Sequence, residues 1–587
     1  MTSLTACAAA LPASSAAAGR GPVAPATSGV PGVSGRGPVV PGVSGAPGIP
    51  GVTGAPGIPG VTGAGIAASA RAATGASGDF LVFYADGKRR EALAAIGRAG
   101  GSAVRTEERL GYVQAKGAGE RFAAALDADP AVVGVTADRR IGFATARPAK
   151  GAAVPDVSAR EGRPRKGEPL AGRQWDMRMI GADQANAAFK GSRKVLVGVI
   201  DTGIDGNHPD IAPNFNRELS RNFVTDRPKD QNGETLDGAC EVAGCQDPVD
   251  RDDDGHGTHV ASTIASPVNG VGIAGVAPDV QLVNLRAGQD SGFFFLKPSL
   301  DALTYAADIG VDVVNMSYYI DPWLYNCTNN ASDSERERSE QRAIVTGMQR
   351  ALDYARGKGV TLISALGNGS TDLGKPKLDK ASPGFPRGDE RVRQVDNSCL
   401  NVPAESGGVI SITALGPSGR KAIYSDYGLE QADLSAPGGD ALDGPTVSPV
   451  RSVLAAAPEA ALRAAGKLGR DGRPKNGEVV RDCTGGACSY YQYLDGTSMA
   501  APHATGVAAL LISRFGKPGK GGLELDPATV EKLLYKTATP RPCPSPREYV
   551  YRVYGEAQTH TCEGGKDKNG FYGHGLVNAL NAATAAK

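Results

Sequence analysis

Beyond about position 190 the chain alternates two patterns. A continuous apolar, β-branched run occurs at residues 195–200, and apolar-rich runs occur at 280–285, 311–316 and 360–365. Runs of that kind predict strands buried on both faces, as in a parallel sheet. Between them, apolar residues at helical spacing predict helices over 260–264, 303–307 and 342–356, and a long apolar run covers 507–515. The succession predicts an α/β domain, a mostly parallel, doubly wound sheet covered by helices, spanning 173–587. In open sheets of this type the site lies at the carboxyl ends of the strands.

The N-terminal part has a different rhythm. Residues 80–84, 103–106, 112–115 and 132–136 read as strands, and 89–98 and 121–126 as helices. The order β-α-β-β-α-β predicts a small α+β, ferredoxin-like domain over 79–143. Residues 20–78 are Gly/Pro-rich with almost no charge, and glycine recurs at every third position from Gly42 to Gly63. That stretch reads as a flexible, partly polyproline-II linker with a short collagen-like repeat. Residues 144–172 are basic and Pro/Gly-rich, as an exposed linker with a processing site would be. Residues 1–19 are Ala-rich, a partial match to an export segment, and Leu4-Thr5-Ala6-Cys7 resembles a lipobox.

A net charge of +1 gives no footprint for nucleic acid, and no apolar run is long enough for a transmembrane span. Eight of the nine cysteines lie between positions 240 and 562. Cys240/Cys245 and Cys483/Cys488 sit close together in Gly- and Asp-rich loops suited to local disulfides. Cys327, Cys399, Cys543 and Cys562 could supply two more, with open connectivity. This usage predicts an oxidising, extracellular setting, secreted or anchored at the cell surface.

Four short motifs carry chemistry. Asp201 ends the first apolar run, where an aspartate is ordinarily a turn former. His256 stands between glycines at a helix start. His259 follows three residues later, but no third ligand at metalloprotease spacing supports a metal pair. Gly367-Asn368-Gly369 follows the run at 360–365 and could be a left-handed loop. Ser498, after Gly496-Thr497, could be an ordinary N-cap, with Pro502 placed in the first helical turn. Together, an acid at a strand end, a glycine-flanked imidazole and a serine opening a helix supply a nucleophile, its base and the orienter of that base.

The segments Asp201-Thr202-Gly203, His256-Gly257-Thr258-His259-Val260-Ala261 and Gly496-Thr497-Ser498-Met499-Ala500-Ala501-Pro502-His503 resemble the signature motifs of subtilisin-like serine proteases. The resemblance covers roughly residues 173–587. It implies a serine endopeptidase that acts on polypeptide substrates and needs no cofactor for its chemistry. Ser498 would be the nucleophile, His256 the base, Asp201 its orienter and Asn368 an oxyanion donor. Residues 79–143 would be a propeptide that assists folding and inhibits the enzyme intramolecularly, making the chain a self-processing zymogen. Ser317, Tyr318, Tyr319 and Gly367 fall where relatives bind substrate. Ser262, Tyr318-Tyr319 and Leu366 depart from the family's usual small residues. The stretches 215–250, 320–342, 370–400 and 440–490 look like insertions. Asp210 and Asn269 match positions that hold a structural calcium in many relatives. The run Asp250, Asp252, Asp253, Asp254 reads as a solvated acidic face beside a helix start. The rival classes are a non-catalytic binding protein that has kept the fold and a serine esterase.

Overall fold

The computed structural model describes residues 77–138, 147–148 and 167–586, apart from 231, 232, 234, 387, 554 and 555. The export segment, the collagen-like repeat and most of the linker 144–172 lie outside the described residues.

Seven strands form one parallel sheet. Its order is Leu434–Pro437, Val409–Leu415, Thr361–Ala365, Val313–Met316, Leu196–Ile200, Gln281–Arg286 and Arg221–Asn222. The chain enters at Leu196–Ile200, reaches the Arg221–Asn222 edge before filling in Gln281–Arg286, then crosses to Val313–Met316 and builds outward on the other side. The topological switch point therefore falls between Leu196–Ile200 and Val313–Met316, where a doubly wound sheet opens a crevice.

Side chains alternate across the sheet with period two. Val197 and Val199 pack with Val260, Ile264 and Leu511 in one cluster. Leu196 and Ile200 pack with Leu300, Leu303 and Ile344 in the other. One face thus carries the histidine helix His256–Ala265 and the serine helix Thr497–Phe515, and the opposite face carries Leu296–Ile309 and Glu335–Gly357.

The helix expected at 342–356 starts seven residues earlier, at Glu335. Its first turns, Glu335-Arg336-Glu337-Arg338, show no apolar period, so periodicity passes over them. They are started by a capping box, with Glu337 N–H donating to Ser334 Oγ at 3.3 Å and Ser334 N–H to Glu337 Oε2 at 2.7 Å.

Residues 77–138 have the expected β-α-β-β-α-β order, and the four strands pair antiparallel. This unit docks on the polar turns of the long helix. Val135 N–H donates to Ser339 Oγ (3.0 Å), and Arg342 Nε donates to Val133 O (3.1 Å). A Cβ on Gly134 would lie 2.5 Å from Ser339 O, so this close approach needs glycine. Leu81 and Phe83 join the apolar cluster on that side of the large sheet.

A second, antiparallel sheet sits beside the serine helix. Its central strand, Ser489–Asp495, lies between Val453–Ala456 and Val479–Asp482 and leads directly into Gly496. The eight cysteines pair as 240–245, 327–399, 483–488 and 543–562.

Candidate active site

Asp201 follows the central strand Leu196–Ile200. Its Oδ1 accepts from Thr202 N–H at 2.8 Å and faces His256 Nδ1 at 2.7 Å. Because a carboxylate only accepts, the imidazole proton sits on Nδ1, which leaves Nε2 as the basic nitrogen. Asp201 is held from the other side as well, since its carbonyl accepts from Ala287 N–H and Gly288 N–H, both at 3.0 Å.

The histidine helix can approach this turn only because residue 257 is glycine. A Cβ there would stand 2.1 Å from Gly203 O. The helix start is capped by Asp252, which accepts from Gly255 N–H (2.9 Å), Thr258 N–H (2.9 Å) and Thr258 Oγ1 (2.6 Å). Thr202 Oγ1 donates to the same carboxylate at 3.0 Å and accepts from Gly257 N–H at 3.0 Å. Of the acidic run, only Asp254 is exposed. Asp252 is 2% exposed, Asp253 pairs with Arg251 and Asp250 with Arg217. Free backbone N–H groups at a helix start attract carboxylates, and here the tertiary fold buries the one that caps.

His259 is no metal ligand. It is buried, and its Nε2 lies 3.1 Å from both Val453 O and Gln492 O. Burial pushes its pKa down to about 3, so it stays neutral. For His256, burial also pulls the pKa down, but the charge and hydrogen bond of Asp201 outweigh that and raise it above the ordinary value.

Ser498 is the second residue of its helix, and Gly496 occupies the N-cap position. The cap expectation for this serine is therefore corrected. Pro502 lies in the second turn rather than the first. Its missing N–H would have bonded the Ser498 carbonyl, and Ser317 Oγ donates to that carbonyl instead, at 3.0 Å. Ser498 Oγ in turn donates to Ser317 O at 3.2 Å. His256 Nε2 is buried and makes no hydrogen bond. The serine and histidine helices pack together. A serine-to-histidine hydrogen bond is often unformed before substrate binds.

Gly367 has φ of 130°, a backbone region that favours glycine. A Cβ at Gly367 would also lie 2.2 Å from Asp426 Oδ2. Asp426 Oδ1 accepts from Thr371 N–H at 2.7 Å, and burial pushes this carboxyl up to about 6. Asn368 Oδ1 accepts from Thr497 N–H and Thr497 Oγ1, both at 2.9 Å. That anchorage fixes which end of the amide is the donor end. Thr497 also accepts from Gly367 N–H at 3.1 Å, so one threonine registers the asparagine loop against the turn that precedes Ser498. Tyr318 is buried and stacks on Phe294 with centroids 4.2 Å apart, whereas Tyr319 is half-buried.

Sequence reasoning missed Asp252, Asp426, Thr497 as a link and Glu168. Only Asp252 left a local signal, a carboxylate just ahead of a helix start.

Asp210 and Asn269 meet at the loop 269–273. Asp210 Oδ2 accepts from Ile273 N–H and Tyr491 OH, both at 2.9 Å, and Asn269 Nδ2 donates to Pro209 O at 3.2 Å. Glu168 Oε1 accepts from Gly270 N–H at 3.1 Å. Asp210 Oδ1 and Glu168 Oε2 are buried without a hydrogen-bond donor, and burial pushes Asp210 up to about 8. Carboxylates left in that state fit a hard cation. A second acidic group, Asp226, Glu241, Asp247 and Asp290, has its ligand atoms within 4.8 Å of one another. It surrounds the buried Arg286, which bonds Asp247 at 2.7 Å, Asp290 at 2.7 Å and Asp226 at 3.0 Å. A guanidinium already supplies the counter-charge there.

A strand-end acid, an imidazole paired with it and a serine in the first turn of a helix follow one another in the chain order Asp, His, Ser at the switch point of a parallel sheet. The profile of the Subtilase family matches residues 192–575, and the chain belongs to that family. It is 27% identical over 366 residues to the thermophilic serine proteinase of Bacillus sp. (strain AK1), covering 62% of this chain and 63% of that protein. It is 27% identical over 384 residues to fervidolysin of Fervidobacterium pennivorans, covering 63% of this chain and 41% of the relative. The chain thus spans less than two thirds of those two relatives, although it covers 89% of subtilisin DY of Bacillus licheniformis at 26% identity. Among solved structures, the epidermin leader peptide processing serine protease of Staphylococcus aureus superposes with a TM-score of 0.56 at 20% identity. That match covers 87% of this chain and 100% of the other, and it shows the fold.

Proposed function

We propose that the protein is a secreted serine endopeptidase made as a self-processing zymogen. The observation that carries this is the 2.7 Å contact between His256 Nδ1 and Asp201 Oδ1 at the switch point, beside the helix that Ser498 enters. In the proposed reaction His256 Nε2 removes the Ser498 proton as Oγ attacks the peptide carbonyl. The Asn368 amide and the Ser498 N–H hold the oxyanion. His256 then gives its proton to the leaving amine, and an acyl-enzyme remains. Water, deprotonated by the same nitrogen, hydrolyses it and restores the hydroxyl. Every proton moves through the chain's own residues.

Residues 79–143 would inhibit intramolecularly, a role supported by the docking of 77–138 on the long helix. Export is supported by the four disulfides, and among the described residues no helix is long and apolar enough to cross a membrane. Ser317, Tyr319 and Gly367 would border bound substrate, with Tyr318 behind them.

The test is Ser498→Ala. Loss of about 10⁶-fold in casein turnover is expected, the scale known for this triad in subtilisin, together with loss of fluorophosphonate labelling and of maturation. A variant that matures and digests casein like the parent would refute the proposal.

Calcium held by Asp210, Glu168 and Asn269 would tie the loop 269–273 to Tyr491. EGTA should then lower the melting temperature of the parent by several degrees and leave that of Asp210→Asn unmoved.

A further inference from the structure

A cavity of about 180 Å³ opens beside His256, with Ala461, Leu462, Ala465, Lys467 and Leu494 in its wall. Its lining is mixed, with Asp254 and Gln492 among the aliphatic residues, and Lys467 pairs with Glu478 at 3.7 Å. The far wall is the short helix Glu459–Ala464, part of the 440–490 insertion, which has its own small core of Ala457, Leu462, Leu468, Val479 and Tyr490. This wall is bolted to the catalytic helix. His259 bonds the carbonyls of both flanking strands, and Ser262 Oγ accepts from Ala456 N–H at 3.0 Å. The unusual Ser262 thereby has a structural purpose.

The side on which the cavity lies is decided by chemistry. His256 hands its proton to the departing amine, so the residue following the scissile bond leaves past the imidazole. The cavity with His256 in its wall is on that side. The strand Ser489–Asp495 also accepts an extended partner there, since Asp495 and Leu494 pair antiparallel with Arg147 and Pro148 of the linker. The pairing runs away from Ser498 as the linker proceeds from 147 to 148. A linker bond delivered to Ser498 in this register therefore lies on the N-terminal side of Arg147.

We infer that this cavity is a leaving-group-side specificity pocket, in which the insertion selects substrates with an aliphatic side chain just after the scissile bond. Peptide docks by adding a strand to Leu494–Asp495. A space of this size takes one leucine or methionine side chain, since a cavity of about 150 Å³ already holds benzene. The inference rests on the endopeptidase proposal above.

The test uses the mature enzyme and quenched fluorescent peptides with a constant acyl side and varied residues at the first three positions after the cut. Leu or Met at one of these positions should raise kcat/KM about tenfold or more over Gly or Asp, the scale on which apolar pockets discriminate. Ala465→Trp, at an exposed position of the wall, should reduce that ratio to within about twofold, and Ala461→Phe should do the same from the buried side. Rates are normalised by active-site titration, so a misfolded variant drops out of the ratio. A flat profile in the parent, or an undiminished ratio in a titratable variant, would overturn the inference. Failure of the parent to cut any peptide would instead refute the endopeptidase proposal. A synthetic peptide of residues 139–152 should be cut N-terminal to Arg147, and a cut after Arg147 would contradict the register.

Discussion

The two sides of the cleft are built differently. The acyl side is made of sheet ends. Ser317 follows Val313–Met316 and makes two hydrogen bonds with Ser498, and Asn368 follows Thr361–Ala365 and makes two with Thr497, all between 2.9 and 3.2 Å. The leaving side is an inserted layer with its own small core and disulfide, joined to the catalytic helix through His259 and Ser262. In the proposed reaction, chemistry that must hold atoms to a fraction of an ångström would sit on the rigid sheet, while selection would sit on a layer that can vary without moving the sheet.

If that division is right, substitutions on the acyl side and in the triad cost rate, and those in the layer cost preference. Asp201→Asn should lower kcat about 10⁴-fold, the scale of that change in another Ser-His-Asp enzyme. It should also move the acid limb of kcat/KM to lower pH. The sign follows from His256, whose pKa Asp201 raises. Activity needs the neutral imidazole and falls as pH drops through that pKa, so removing the carboxylate lets the limb slide down. Asn368→Ala should cost about 10²–10³-fold in kcat with little change in KM. Opening the Cys483–Cys488 bridge with paired serines should cost about 2 kcal/mol of stability and flatten leaving-side preference a few-fold, with kcat on an ester substrate nearly intact. A large kcat loss from the disulfide variant, or a pure preference change from Asn368→Ala, would break the comparison.

Much of the fold was legible because buried strands leave apolar-rich runs, continuous at Leu196–Ile200 and interrupted only by small hydroxyl residues at Thr361–Ala365. The motifs of Asp201, His256 and Ser498 were legible because each is short and glycine-rich, with small residues that answer a local demand, such as Gly257 against Gly203 O. Where the local pattern was silent, the expectations failed. The first turns of Glu335–Gly357 are polar because another domain, not the core, covers them. Asp252 looked solvated because burial by a distant turn leaves no mark beside it.

By itself, then, the sequence determined the sheet, the order Asp201, His256, Ser498 and the subtilase resemblance, since these depend on periodicity and on residues adjacent in the chain. Tertiary structure alone decided that Gly496 rather than Ser498 is the cap, and that Ser317 answers the carbonyl freed by Pro502. It also decided that Thr497 anchors Asn368 and that an inserted helix walls the cavity beside His256. Each of these is a contact between segments far apart in the chain. A hydrogen bond or a cavity depends on where backbones meet in space, and that distance is not written in either segment alone.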